Sequence, residues 1–199
     1  MADHSFEAIE ATLKRTVAAL REAEIPFLLG GSLASWARGG PETRRDLDVI
    51  VRPKDAERAL EALVAVGMRP ERPPEEWLLK AWDGDVLVDL IFGPRGLEVD
   101  DEVLARGDEL HVLGITIPVM SIEDLMATKL SALGEHSLDY SSLVRIARAL
   151  REQIDWPELR RRTAGSPYAE AFFVLAEGLG LVPEGSAGGG AEIRVLGRR

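Results

Sequence analysis

The sequence predicts an α+β fold: a mixed β-sheet flanked by helices, with a C-terminal helical extension. Three stretches carry that prediction. Phe27-Leu-Leu has the length and apolarity of a buried strand and runs through Gly30-Gly31-Ser32 into a short helix over 33–38. Asp46-Leu-Asp48-Val-Ile-Val51 reads as a second strand, and residues 77–92 read as a hairpin turning at Asp83-Gly84 between two apolar runs. From Ser121 onward the apolar positions recur only at three- and four-residue spacing, the pattern of helices.

Taken in order, residues 5–24 form an amphipathic helix. Phe6, Ile9, Leu13, Val17 and Leu20 line one face, and Pro26 stops it before the first strand. Gly30 and Gly31 allow a sharp turn, and Ser32 caps the helix that follows. Gly39-Gly40-Pro41 is a turn leading through Thr43, Arg44 and Arg45 to the Asp46 strand. Pro53 opens a helix running to about 66, closed by Gly67. Residues 72–76, Arg-Pro-Pro-Glu-Glu, are a loop, and 93–120 alternate turns with short strands at 110–112 and 115–119, with an acidic surface helix within 98–108. Ser121-Ile-Glu-Asp124 has the form of a capping box opening a helix that Gly134 closes. Further helices are expected over 137–151, 156–163 and 167–179, and Gly and Ser dominate from Pro183 to Gly190. The expected division is a core of 1–120, a helical region of 121–182 and a flexible tail of 183–199.

Composition narrows the function classes. The chain has 199 residues, 46% hydrophobic and 29% charged, which suits a globular protein with a real core. Cysteine is absent, so disulfides, thiol chemistry and Cys-based zinc sites are excluded. The acidic start lacks a secretory pattern and no apolar run approaches membrane-spanning length, so a cytoplasmic location away from membranes is expected. A formal net charge of −10 argues against a general nucleic-acid binder but leaves room for local basic patches. Arg145, Arg148 and Arg151 recur every three residues, and Arg160, Arg161 and Arg162 are consecutive. Both groups read equally as phosphate contacts or as solvated helix faces.

Chemistry concentrates at the glycine turn and the paired carboxylates. A helix start after Gly30-Gly31-Ser32 presents free N–H groups to a phosphate. Asp46 and Asp48, two apart on a strand, share one face, and their mutual repulsion favours a divalent cation such as Mg²⁺. Asp89 interrupts the apolar run Val86-Leu-Val-Asp-Leu-Ile-Phe92, so it is either a third acid of the site or a carboxylate facing solvent. Thr43, Arg44 and Arg45 either hold phosphates, to which Arg offers a planar fork, or form an exposed loop. Lys129 sits within an apolar helical stripe, where it can snorkel or reach a phosphate. Asp139, on the next helix, reads as an ion-pair partner of Lys129 or as a first-turn charge. Tyr140 and His136 are weaker candidates, and His111, with no ligand-spaced partner, reads as a solvated or satisfied histidine.

Gly30-Gly31-Ser32 followed by Asp46-x-Asp48 resembles the signature of the DNA polymerase β-like nucleotidyltransferase superfamily, over about residues 5 to 155. Within it the chain most resembles the bacterial group that includes the AbiEii and MenT toxins. The resemblance implies the nucleotidyltransferase fold and transfer of a nucleoside monophosphate from an NTP to an acceptor with Mg²⁺. It assigns Asp46, Asp48 and Asp89 to the metal, with Asp89 helping to deprotonate the acceptor. Gly30, Gly31, Ser32, Thr43, Arg44, Arg45 and Lys129 are the candidates for holding the nucleotide, and the resemblance implies that Lys129 and Asp139 join the Asp pair in the catalytic set, while Arg45 departs from the small polar residue that many relatives carry before the first Asp. The implied acceptor is a tRNA 3′ end, in a toxin paired with an antitoxin protein. Two alternatives stand beside it: transfer to an aminoglycoside-type antibiotic, and a non-catalytic module of the same fold that binds nucleotide or a partner.

Overall fold

The computed structural model describes residues 5–43 and 46–182. Arg44, Arg45 and the expected tail at 183–199 lie outside the described residues. At the centre is a seven-stranded sheet in the order β3-β4-β5-β2-β1-β7-β6. Its strands are β1 (Phe27–Leu29), β2 (Leu47–Val51), β3 (Arg69–Glu71), β4 (Leu78–Asp83), β5 (Val86–Ile91), β6 (Asp108–Val112) and β7 (Ile115–Val119). The sheet is mixed as expected. β1 runs antiparallel to β2 and parallel to β7, while β2 and β5 are parallel neighbours.

Strand alternation sorts the side chains by face. Leu47, Val49 and Val51 of β2, Leu79 and Ala81 of β4, and Val86, Val88 and Leu90 of β5 are buried. Helices α1 (Phe6–Glu22) and α3 (Ala56–Ala65) pack on β4, β5 and each other on this side. Thr12 of α1 marks the face by donating to Asp83 Oδ2 at 3.0 Å. Ser5 caps α1 by accepting from the Ala8 N–H at 3.2 Å.

Asp48, Lys80 and Asp89 alternate onto the opposite face. There α2 (Gly31–Ala37) packs on β2 and on α5 (Ile122–Ser131), and α6 (Tyr140–Leu150), α7 (Trp156–Arg162) and α8 (Pro167–Gly178) gather on α5. The short α4 (Asp101–Ala105) precedes β6. One buried apolar cluster runs from Ile9 to Leu181, so the C-terminal helices complete the core of the sheet. No helix among the described residues is long and apolar enough to cross a membrane.

Several expected boundaries move. The helix expected from 33 begins at Gly31, with Gly30 as its N-cap, and the helix expected from 137 begins at Tyr140. Gly134 does not close α5, whose C-cap is Ala132. Pro53 starts a 3-10 turn, Pro53–Asp55, ahead of α3. β3 went unpredicted, because its Arg-Pro-Glu sequence has no strand character and a proline fits only an edge strand. In the β4–β5 hairpin Asp83 pairs with Val86, so the turn residues are Gly84 and Asp85, one later than expected. Gly84 supplies the positive φ of +61° that the tight turn needs.

Asp124 knits the helical side together. It is 0% exposed, accepts from the Ser121 hydroxyl at 2.9 Å, and receives Arg106 at 3.1 Å and Arg162 at 2.6 Å. The capping box thus joins α5 to α7 and to the end of α4.

Candidate active site

The site begins at the β1–α2 turn. Gly30 donates its N–H to the carbonyl of Asp48 at 2.8 Å, tying the turn to β2. Gly31 follows at φ +58°, and a Cβ there would lie 1.6 Å from Asp48 Oδ2. Only glycine lets the Asp48 carboxylate sit against the helix start. The backbone N–H of Ser32 donates to that carboxylate. The helix end expected to meet phosphate therefore meets Asp48 first, while Ser32 Oγ accepts from Thr43 Oγ1 at 3.0 Å.

Asp48 and Asp89 are register partners on the parallel strands β2 and β5, so both carboxylates stand on one face. Asp46 precedes β2 by one residue and acts electrostatically on both. Burial, reinforced by the Asp89 charge, raises the Asp48 pKa from 3.8 to about 6; Asp46 pushes it the same way, and Lys129 and the Ser32 N–H oppose. Asp89, whose side chain is 18% exposed, is also raised by burial, and Lys80 pulls it back. Lys80 Nζ donates to Asp89 Oδ1 at 3.1 Å.

Lys80 was missed from the sequence. It lies opposite Asp89 on β4, and Glu71 lies opposite Lys80 on β3. Glu71, Lys80, Asp89 and Asp48 thus form a row of charges across four adjacent strands. Trp82 closes the row at its β3 end, donating Nε1–H to Glu71 Oε2 at 2.7 Å beneath the Arg69 guanidinium. The available signal was the hairpin register: a turn at 84–85 sets Lys80 against Asp89, whereas a turn at 83–84 does not.

Two cavities meet at Lys129 of α5. The first, about 590 Å³, is lined by the polar residues Ser32, Ser35, Glu42, Thr43, Lys129, Asp139, Ser142 and Arg145, with Pro41 and Ile146. The Ser35 hydroxyl there is buried without a hydrogen-bond partner among the described residues. The second, about 470 Å³, is lined by Gly31, Asp48, Ile50, Trp77, Ile91 and Lys129, with Pro94, Arg95, Met120 and Leu125.

The remaining candidates fall in distinct places. Asp139 borders the first cavity but serves its own helix: it is the N-cap of α6, accepting from the Ser141 N–H at 3.0 Å, and the Ser141 hydroxyl holds its carboxyl below the usual value. No Lys129–Asp139 ion pair forms among the described residues. His111 is an exposed residue of β6, and Tyr140 donates to the Tyr168 carbonyl at 3.0 Å. Arg160, Arg161 and Arg162 are all engaged, by Glu170 and Glu177, by Glu158, and by Asp124 and Glu158. Arg145 and Arg148 are exposed and make no ion pair among the described residues. Also among the described residues, no group of three or more His, Asp or Glu forms a ready-made metal cage. The acids that face each other are Asp48 and Asp89, with Asp46 near enough to act on both and Asp89 turned in part to Lys80.

A family model described as an uncharacterised nucleotidyltransferase matches residues 5–176. A search of curated proteins finds no match. Among solved structures, the chain is similar to the solution structure of the antibiotic-resistance factor ANT(2'')-Ia, at 16% identity and a TM-score of 0.62, covering 88% of this chain and 99% of that one. The crystal structure of ANT(2'')-Ia in complex with adenylyl-2''-tobramycin matches at 17% identity and 0.53, with 85% and 95% covered. An antigenic nucleotidyltransferase-like protein from Paracoccidioides brasiliensis matches at 11% identity and 0.50, with 91% and 96% covered. At these identities the likeness is one of fold.

Proposed function

Since the chain belongs to the uncharacterised nucleotidyltransferase family, we propose that it transfers a nucleoside monophosphate from an NTP to an RNA 3′ hydroxyl, with tRNA as the acceptor. The observation that carries this reading is the in-register pair of Asp48 and Asp89 on parallel strands, with Asp46 beside them and Lys129 acting on Asp48 from α5.

The donor set fits Mg²⁺. Hard carboxylate oxygens crowd together, and Asp48 is raised to about 6 by burial and by its acidic neighbours, the mark of a site short of positive charge. Asp46 and Asp48 would hold the ion, with Asp89 adjacent. When bound it neutralises charge on the reacting phosphates.

The chain's own residues supply the rest. Lys129 and Arg145 bring positive charge to the first cavity, where the Ser32, Ser35 and Thr43 hydroxyls can bond phosphate or nucleoside oxygens. Arg44 and Arg45 are assigned to the same task from the sequence. Gly31 keeps the approach to Asp48 clear. Asp89 takes the proton of the acceptor hydroxyl on the carboxylate oxygen that Lys80 leaves free. The acceptor oxygen bonds to the α-phosphorus, the bond to the β-phosphate oxygen breaks, and pyrophosphate departs. Asp139 borders the nucleotide cavity and positions α6, which carries Arg145.

Support for an RNA end comes from Arg145 in the cavity wall and Arg148 one turn on, both free of ion pairs among the described residues. An otherwise acidic surface suits recognition of an end better than of a long duplex. The closeness to AbiEii and MenT drawn from the sequence motif extends the proposal to a cytoplasmic toxin held by an antitoxin protein. The test is incubation with each labelled NTP, Mg²⁺ and total tRNA. Label on tRNA that vanishes with Asp48→Ala supports the reading, whereas label appearing only on added aminoglycosides, or on nothing, refutes it.

A further inference from the structure

Resting on an RNA 3′ end as the acceptor, we propose that Trp77 is the platform on which the acceptor's terminal base stacks, inside the apolar cavity that borders Asp48.

Trp77 is 44% exposed, a large apolar ring left in water in the cavity that Asp48 also lines. Its backbone is fixed. The Trp77 carbonyl accepts from the N–H of Phe92 at 3.0 Å and of Gly93 at 3.1 Å, beyond the end of β5. A Cβ on Gly93 would meet Trp77 Cβ at 3.1 Å, so the two strand ends are in close contact. Facing loop and helix are equally close: a Cβ on Gly96 would stand 2.2 Å from Ser131 Oγ of α5. A ring held on a rigid backbone loses little freedom when a ligand covers it.

The cavity is built from the carboxylates' own strands. Ile50 lies two residues after Asp48, and Ile91 two after Asp89, so each shares its carboxylate's face. Both line the cavity with Trp77, Pro94 and Leu125. A group seated on this floor meets Asp48, whose register partner on the next strand is Asp89. The other cavity holds the hydroxyls and Arg145 that suit a triphosphate, and Lys129 borders both. Donor and acceptor would therefore approach the carboxylates from opposite sides of Lys129.

The lining also selects the class of acceptor. A largely apolar lining with one aromatic side chain suits a nucleobase, which stacks on Trp whatever its identity. Arg95 is exposed, lines the cavity and makes no ion pair among the described residues, and so is available to a phosphate on the strand leading in. A polycationic acceptor would meet Arg95 and Lys129, with Asp48 the one acid in the lining.

The experiment compares wild type, Trp77→Ala and Trp77→Phe in steady-state transfer to tRNA, varying RNA and NTP separately. Trp77→Ala should raise KM for RNA about 10- to 100-fold, the range of one base–aromatic stack. KM for NTP should not change, and Trp77→Phe should stay within a few-fold of wild type. A rise in KM for NTP instead, or no change in either, overturns the proposal. A second measurement needs no turnover: a short single-stranded oligoribonucleotide with a free 3′ hydroxyl should quench tryptophan fluorescence in wild type and not in Trp77→Phe. Quenching without transfer to RNA would sink the proposed function and leave the stacking site standing. Transfer to RNA without the KM shift or the quench would sink the stacking site alone.

Discussion

Gly31 and Asp48 occupy space that a single methyl group would abolish: the Cβ of any other residue at 31 would fall 1.6 Å from Asp48 Oδ2. The glycine of the turn is thus fitted to the carboxylate of the neighbouring strand. Gly31→Ala should lower kcat/KM by at least about 100-fold, since the carboxylate must move by an ångström or more. Gly84→Ala is the matched control, because Gly84 has a similar φ of +61° but nothing within 4 Å of a Cβ. It should cost about 1 kcal/mol of stability and leave activity intact. Melting curves and initial rates of both variants check the pair.

Asp48 makes the metal-free protein sensitive to pH. Burial and Asp89 hold its pKa at about 6 in the folded state against 3.8 when free. A carboxyl raised on folding stabilises the protein while protonated, so this contribution is complete below about pH 4 and lost as pH rises through about 6. The loss amounts to up to about 3 kcal/mol. Asp48→Asn should flatten the fall and be more stable than wild type at pH 7.5 in EDTA, while inactive. Thermal melts between pH 4 and 8 measure it.

Lys80 controls Asp89 from the next strand. Removing its charge and hydrogen bond leaves burial unopposed, so the Asp89 carboxyl rises further. With Lys80→Met, the acid limb of the pH–rate profile should move upward. A pH–rate profile superimposable on wild type would refute the coupling.

Asp124 has a structural role away from the cavities. It is wholly buried, while Arg106 and Arg162 keep 36% and 26% of their side chains exposed. Asp124→Ala should destabilise by about 3 kcal/mol, at the lower end for a broken buried pair, because the freed guanidinium groups reach water. Urea denaturation checks it.

Arg145 and Arg161 should differ in RNA affinity. Arg145 lines a cavity, whereas Arg161 pairs with Glu158. Arg145→Ala should reduce the logarithmic salt slope of RNA binding by about one, and Arg161→Ala should leave it unchanged. Filter binding across a salt series separates them.

Much of this was legible in the chain. The mixed sheet, the strand–turn–helix at Gly30–Ser32 and the capping box at Ser121 all follow from local chemistry with short reach. What escaped depends on partners distant in sequence. Lys80 was hidden by a one-residue error in the hairpin turn, since register decides which side chains meet. β3 was hidden because it is made by pairing with β4 and not by its own residues. The arginines at 160–162 read equally as phosphate contacts or as a solvated face because Glu170 and Glu177 become partners of Arg160, and Asp124 of Arg162, only once α7 packs on α8 and α5. Asp139 reads in the sequence either as a Lys129 partner or as a charge at the helix start, and the structure makes it the N-cap of α6 through Ser141, close to the second reading.

The two rims of the sheet bear on how the protein behaves in crowded solution. On one side β3 is only three residues long and carries Pro70, which offers no N–H to an incoming strand; on the other, β6 exposes Asp108, Glu109 and His111. Neither margin is a good template for another chain to dock as an eighth strand. Self-association, where it occurs, should therefore proceed through helical surfaces, and concentrated samples should resist fibril growth as long as the fold is intact.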